Sequence, residues 1–426
     1  MGNNAKKILL KNTIMLYVMR FSSYFFSFVS VPYQTRVLGT IPYGALGIAT
    51  AFMLYFQLFL DFGFILSATE DVSKNIGNKK ELSRIYSSVQ YIKVVFSIVS
   101  VVIMFGICTI FEQYNDYPLY FWYLASTIIN AFFPDFLYRG LEDMAPITYR
   151  SVATKALSTV LIFIFLKEPD DYLVVPILIT LGNVVGLIWT SFDVKKRFDV
   201  NFVKPEISHI IQSLKRSATF FLSRIASTVF TATNTIILGL IDPIGATVGL
   251  YTSAYKLVST GQSALSPIAD SVYPYMIRNK DFKLIKKMLL IFMPIISAGC
   301  VLIFIFADSL CALVFGKEFR DAGGILRAML PLAITTLPEY LLGFPSLSAI
   351  NKTKFANYSI YFSTIVHLII MVILLATHQL TAVKLALLLS LASFNNTIFR
   401  LISLIYFMKK EKNEPVEKKV LKEEVN

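Results

Sequence analysis

Apolar residues along this chain do not alternate with polar ones. They run together for about 20 positions at a time, the length that crosses a bilayer as a helix. Twelve such runs are predicted: residues 12–35, 43–66, 86–110, 119–139, 146–166, 173–191, 217–241, 249–274, 288–314, 328–350, 357–377 and 383–407. No connecting stretch is longer than 25 residues, so none folds as a separate soluble domain. The pattern predicts an all-α integral membrane protein with twelve transmembrane helices. The first run contains Arg20 and is followed by no small-residue cleavage site, so it is expected to be retained as a span. Residues 409–426 are polar and charged and read as a solvated tail.

The polar connections are asymmetric. If both termini lie on one side, the loops on that side hold 28 lysines and arginines and the opposite loops hold six. Basic loops stay in the cytoplasm. Both termini and the loop 192–216 are therefore expected there, with the segments starting at Glu112 and Lys167 outside.

Composition agrees with this reading. Hydrophobic residues make up 55% of the chain and charged residues 16%, against about 25% in soluble domains, and the mean hydropathy is +0.63. The net charge of +13 follows from the topology and from anionic headgroups, so no nucleic acid is expected as a partner. Cys108, Cys300 and Cys311 have no paired spacing, and His209, His367 and His378 have no carboxylates clustered around them. No disulfide, metal or cofactor is expected. No loop carries the acid cluster that a glycosyltransferase or polymerase would need, so an enzyme is not expected.

Shifting the chain by 204 residues aligns "YVMRFSSYFF", from Tyr17, with "FLSRIASTVF", from Phe221. Lys11 meets Lys215, Thr13 meets Ser217, Arg20 meets Arg224, Ser23 meets Ser227 and Phe26 meets Phe230. Further on, "YGALGIATA" resembles "VGLYTSA", with Gly44 opposite Gly249. The repeat predicts two six-helix lobes, 1–204 and 205–408, followed by the tail. Six spans per half is an even number, so the lobes should be related by a parallel pseudo-two-fold, with a transport site between them.

Charges inside the runs narrow the chemistry. A charge at mid-membrane costs about 2.5–3.5 kcal/mol on insertion scales. Arg20, Lys155 and Arg224 lie deep in their runs, and Lys256 about a third of the way in from the outer face. Together they predict a water-filled cationic cavity for an anionic substrate such as a phosphate or pyrophosphate. Lys93 and Arg400 stand near cytoplasmic ends, where a long side chain reaches the headgroups along its own helix. Asp61, Asp135 and Asp270 are near the same side and read as packing residues as readily as functional ones. Glu339 lies among Pro331, Pro338, Gly343 and Pro345. It is either the partner of a basic neighbour in a kinked helix or a coupling site for a cation or proton, and Asp61 is a second candidate for coupling or gating.

The stretches "VPYQTRVLGTIPYGALGIATAF", "DFGFILSATEDVSKNIGNKKELSRIYSSV" and "FFPDFLYRGLEDMAPITYRSV" resemble the first four spans of Wzx-type flippases of O-antigen and capsular polysaccharide repeat units. "VGLYTSAYKLVS" and "FGKEFRDAGGILRAMLP" are similar to the second half of that family, so the resemblance covers nearly the whole chain. Two positions depart from the family's pattern: Tyr138-Arg139 before Gly140, and Glu70 after Thr69. The resemblance implies a MATE-like fold and a location in the inner, cytoplasmic membrane. It implies movement of undecaprenyl-pyrophosphate-linked oligosaccharide to the outer leaflet by alternating access. Arg20, Lys155, Arg224 and Lys256 would surround the pyrophosphate or acidic sugars. The expected partners are that lipid-linked substrate, membrane lipids, and the polymerase and chain-length regulator of the same pathway. A multidrug or cation exporter of the same fold and a lipid II flippase are the alternatives. An exporter's lumen should be acidic, and the lipid II group usually has fourteen spans.

Overall fold

The computed structural model describes residues 3–242 and 245–413. Helices α1 (Asn3–Leu38), α2 (Thr40–Asp61), α3 (Phe64–Lys74), α4 (Lys79–Ile110), α5 (Tyr117–Ala131), α6 (Asp135–Gly140), α7 (Ala145–Phe165) and α8 (Val174–Phe198) come first. They are followed by α9 (Ile207–Ile241), α10 (Ala246–Asn279), α11 (Phe282–Phe315), α12 (Ala322–Leu342), α13 (Phe344–Ala349), α14 (Thr353–Ala376) and α15 (Ala382–Asn413). Most of the expected tail, residues 414–426, lies outside the described residues.

Among the described residues, nine helical segments are long and apolar enough to cross a membrane by length and composition. Helix α10 is not one of them, because Thr252, Ser253, Lys256, Ser259, Thr260 and Gln262 dilute its apolar residues. Helix α4 turns Val94, Ile98, Val102 and Phe105 outward, and α11 does the same with Leu290, Ile295, Leu302 and Ile305. Lipid is as apolar as these side chains, so their exposure is expected on a membrane surface. The chain is an all-α, multi-pass membrane protein.

Three of the predicted runs are carried by broken helices, each for a local reason. The run 43–66 breaks after Asp61, where Phe62 (φ 38°) and Gly63 (φ 82°) turn left-handed. The run 119–139 breaks before Pro134, which has no N–H and disfavours helix in the residue before it. The run 328–350 breaks at Gly343, two residues before Pro345. The short helices after the last two breaks end alike. Glu142 (φ 56°) and Asn351 (φ 57°) are left-handed, and the Asp143 and Lys352 N–H groups donate to the Tyr138 and Leu347 carbonyls at 2.9 and 2.8 Å.

The chain divides into two compact units, Met1–Leu250 with Leu313–Phe319, and Tyr251–Ala312 with Arg320–Asn426. In the first unit α1 packs on α7, α7 on α8, α5 on α8, and α2 on α9. One core cluster, around Phe64, Val72, Phe136, Leu137, Tyr138 and Val194, ties α3 and α6 to α8. Two glycine contacts set helix spacing here. A Cβ on Gly182 would meet the Ser158 hydroxyl at 2.7 Å, and one on Gly186 would meet the Thr154 methyl at 3.0 Å. This Gly-xxx-Gly pair lets α8 close on α7. The start of α2 is also pressed against that of α10. A Cβ on Gly44 would meet the Gly245 carbonyl and, at 3.0 Å, the Gly249 nitrogen; one on Gly249 would meet the Thr40 carbonyl and, at 3.3 Å, the Gly44 nitrogen.

In the second unit α12 packs most extensively on α15, and α14 on α15. Its core joins Leu337, Leu341 and Leu342 of α12 to Met276, Ile285, Leu347 and Leu404.

Candidate functional site

In the first unit, polar residues recur at helical spacing on facing helices. Helix α1 carries Ser23, Ser27, Ser30 and Gln34, and α7 carries Ser151, Thr154, Lys155, Ser158 and Thr159. Residues three and four apart share one helix face, so two polar stripes meet inside an apolar bundle. They bound a cavity of about 400 Å³ between α1, α5, α7 and α8. Ser126, Thr127 and Asn130 of α5, Asn183 of α8, and the rings of Phe26 and Phe133 also line it. Among the described residues the lining holds two cations, Arg150 and Lys155, and no carboxylate.

These two cations differ in attachment. Lys155 Nζ donates to Ser23 Oγ at 2.6 Å, and the residue is exposed. Arg150 is only 7% exposed. Its Nη1 and Nη2 donate to the two Asp135 carboxylate oxygens at 2.5 and 3.1 Å, and its guanidinium stacks 3.7 Å from the Phe133 ring centroid. A paired, bidentate contact of this kind is the strong form of a buried ion pair. Asp135 is available because the Pro134 break places it at the first turn of α6.

The same break leaves helix-end carbonyls without partners, and α4 supplies them. Lys93 Nζ donates to the Ala131 carbonyl and Gln90 Nε2 to that of Phe132 at 3.0 Å. Lys93 is 4% exposed and interacts electrostatically with Asp61 and Asp135. The expectation that Lys93 and Arg400 snorkel to the headgroups is therefore corrected. Each donates to a backbone carbonyl beside a helix break, Lys93 to Ala131 and Arg400 to Glu339.

Arg400 belongs to the second unit and is also 4% exposed. Its Nη1 donates to the Glu339 carbonyl at 2.6 Å, its Nε to Ser359 Oγ at 2.9 Å, and its Nη2 to the Ala356 carbonyl at 3.5 Å. The Glu339 carboxylate accepts from Ser393 Oγ at 2.6 Å and Asn396 Nδ2 at 2.7 Å. Arg400 Nη1 stands 3.9 Å from Glu339 Oε1. A second cavity, of about 510 Å³, is lined by Glu339, Arg400, Asp270, Tyr273 and Tyr340 among others.

Of the remaining predicted site residues, Arg20 lies on the exposed face of α1, outside the lining of the first cavity. The side chain of Arg224 lies outside the described residues, although its backbone belongs to α9. Lys256 is half-buried on α10 and does not line the second cavity. Asp61 ends α2 and accepts from Gln57 Nε2 at 2.9 Å. Glu70, one of the departures from the family pattern, pairs with Lys74 and lies 3.5 Å from Arg216.

Arg150, Ser393 and Asn396 were not anticipated, nor was the hydroxyl lining of the first cavity. Arg150 falls near the start of the predicted run 146–166, where Pro146 marks a helix start that puts it more than one turn inside α7. The serine and threonine stripes were visible as polar residues at spacings of three and four within apolar runs.

The fold is shared with solved transporters. An inward-facing multidrug resistance MATE family transporter of the MOP superfamily superposes with a TM-score of 0.67 at 15% identity, covering 91% of this chain and 99% of that one. The lipid II flippase MurJ in an inward closed conformation superposes with a TM-score of 0.68 at 14% identity, covering 93% and 87%. A provisionally named O-antigen transporter of Shigella dysenteriae is 26% identical over 368 residues, 84% of this chain and 91% of its own length. The family model described as "Polysaccharide biosynthesis protein" matches residues 9–280. The match spans more than half of the chain, and the protein therefore belongs to that family, a family of membrane transporters and not of enzymes, with a fold of the MATE and MOP type.

Proposed function

We propose that this transporter is a flippase that moves undecaprenyl-pyrophosphate-linked oligosaccharide repeat units from the inner to the outer leaflet of the cytoplasmic membrane. It works by alternating access and serves O-antigen, capsule or exopolysaccharide assembly. The observation that carries this reading is the first cavity: its described wall is lined by hydroxyls and amides and holds Lys155 beside an Arg150 that Asp135 already pairs, with no carboxylate among the described lining residues. Such a wall suits an anionic, hydroxyl-rich headgroup and disfavours an organic cation. Similarity to an O-antigen transporter supports the same substrate class.

In this reading twelve spans form two six-helix lobes, 1–204 and 205–408, with both termini cytoplasmic. The reciprocal contacts of Gly44 and Gly249 support the pseudo-two-fold. Each meets the other and the residue four positions before it, Gly245 or Thr40, as residues beside a two-fold axis do. The matching turns at Glu142 and Asn351 support it as well. Arg20, Lys155, Arg224 and Lys256 supply the positive potential for the headgroup, and Glu339 and Asp61 serve coupling or gating. The polyprenyl tail stays in lipid, and the polymerase and chain-length regulator of the pathway receive the product.

The test is complementation of a flippase-deficient strain, read as surface polysaccharide. Arg224→Ala is expected to abolish export while the protein still inserts. Arg224→Lys should restore it in part, because lysine keeps the charge and loses the paired hydrogen bonds to phosphate. Losing one charge-assisted contact of about 1.5–3 kcal/mol corresponds to roughly one to two decades in affinity. Normal export by Arg224→Ala at normal expression overturns the reading. So does a purified protein that binds organic cations and no pyrophosphate lipid.

A further inference from the structure

The Glu339 carboxylate is surrounded by donors. Ser393 donates to Oε2 and Asn396 Nδ2 to Oε1, and the Arg400 guanidinium is 3.9 Å from Oε1. Arg400 cannot swing away easily, since Ser359 and the Glu339 and Ala356 carbonyls hold it. One polar atom in this cluster is unsatisfied. Asn396 is 4% exposed, and its Oδ1 is buried without a hydrogen-bond partner.

We propose that the ion taken up at Glu339 is a proton and not a metal cation, and that Asn396 is built to serve both protonation states. The proposal rests on the reading of Glu339 as the coupling residue. A metal cation needs several oxygen ligands around it. Here it would have to displace two donors and sit beside a guanidinium that repels it. A proton displaces nothing. Ionised, Glu339 accepts the Asn396 N–H. Protonated, its O–H needs an acceptor, and a half-turn of the Asn396 amide brings Oδ1 to it, since the two ends of the amide are nearly the same shape. The unsatisfied acceptor of one state is the partner required by the other.

Other polar and charged groups share the cavity with the carboxyl. Asp270 and Tyr273 face the cavity from α10, Tyr340 from α12 and Arg400 from α15. Helix α13 brings only Phe344 and Pro345, and α14 only Ile360, to the cavity wall. His367, further along α14, is hydrogen-bonded to the Leu388 backbone. The change in protonation of Glu339 reaches the backbone through Arg400. A Cβ on Gly343 would lie 2.6 Å from Arg400 Nη1, so the guanidinium sits in the break between α12 and α13. Neutralising Glu339 weakens the hold on that guanidinium, and with it on the segment most able to move.

The experiment is difference infrared spectroscopy of the purified protein in lipid nanodiscs during a pH titration, with sodium or choline chloride at equal ionic strength. A protonated-carboxyl band that appears on acidification, is lost in Glu339→Gln and keeps its midpoint in sodium is expected. Asn396→Leu removes both the donor and the acceptor, and should displace the midpoint and shift the band to the frequency of a carboxyl with one fewer hydrogen bond. The proposal is overturned if sodium suppresses the band or moves its midpoint by a unit or more, or if the band survives in Glu339→Gln. No substrate is present, so these outcomes are independent of whether export fails in the complementation test.

Discussion

Arg150 and Lys155 are five residues apart on α7 and do different work. Arg150 is locked to both oxygens of Asp135 and to the face of Phe133, whereas Lys155 donates to the hydroxyl of Ser23 at the cavity wall. Removing Arg150 leaves a half-buried carboxylate without its partner. Breaking a buried pair costs about 3–5 kcal/mol, and the partial exposure of Asp135 places this pair at the lower end. Arg150→Ala is expected to lower the melting temperature in detergent and to reduce the folded yield. Asp135→Asn in the same background should recover part of the loss, because it removes the orphaned charge. Recovery would separate an ion-pair role from a packing role for the arginine.

At the scale of elements, helix breaks do most of the positioning. The Pro134 break puts Asp135 where Arg150 can reach it, and the Gly343 break opens the space that Arg400 fills. In both places a basic side chain from another helix donates to a carbonyl beside the break, Lys93 to Ala131 and Arg400 to Glu339. The cavity wall depends on a different device, the close approach of α8 to α7 at Gly182 and Gly186. Gly182→Val would drive a branched side chain against the Ser158 hydroxyl and the Thr154 carbonyl, which lie 2.7 and 3.3 Å from a Cβ. Overpacking of this kind costs about 1–3 kcal/mol. The variant is expected to be less thermostable, and a cysteine at Ser158 should react with a thiol reagent at a different rate once α8 is displaced. Much of this was legible beforehand: Pro134, Pro345, Gly343 and the Gly-xxx-Gly pair are punctuation in the sequence. The partner of each break was not, because Lys93 is 38 residues from Ala131 and Arg400 is 61 from Glu339.

For the whole molecule the governing quantity is the distribution of basic residues between loops. Twenty-eight on one side against six on the other predicts that both termini and the loop 192–216 are cytoplasmic. Single cysteines in residues 199–206 and in the Glu112 segment, labelled with an impermeant reagent in intact cells, should report opposite sides. Only the Glu112 segment should react, and labelling of 199–206 would invert the topology. The native Cys108, Cys300 and Cys311 are buried, so background labelling should be low.

The sequence by itself determined the class of the protein, the positions of most of its membrane runs and the expected orientation. It could do so because a bilayer imposes local rules. Each spanning segment must satisfy its own backbone hydrogen bonds and face lipid with apolar side chains, so hydropathy read along one dimension is enough. Tertiary structure alone decided which embedded charges are neutralised. Lys93, Arg150 and Arg400 are held by a carboxylate or by carbonyls beside helix breaks, while Lys155 lines a cavity and donates to Ser23. The reason is that the state of a charge in a low-dielectric interior depends on what stands within a few ångströms of it, and those neighbours come from helices remote in the chain.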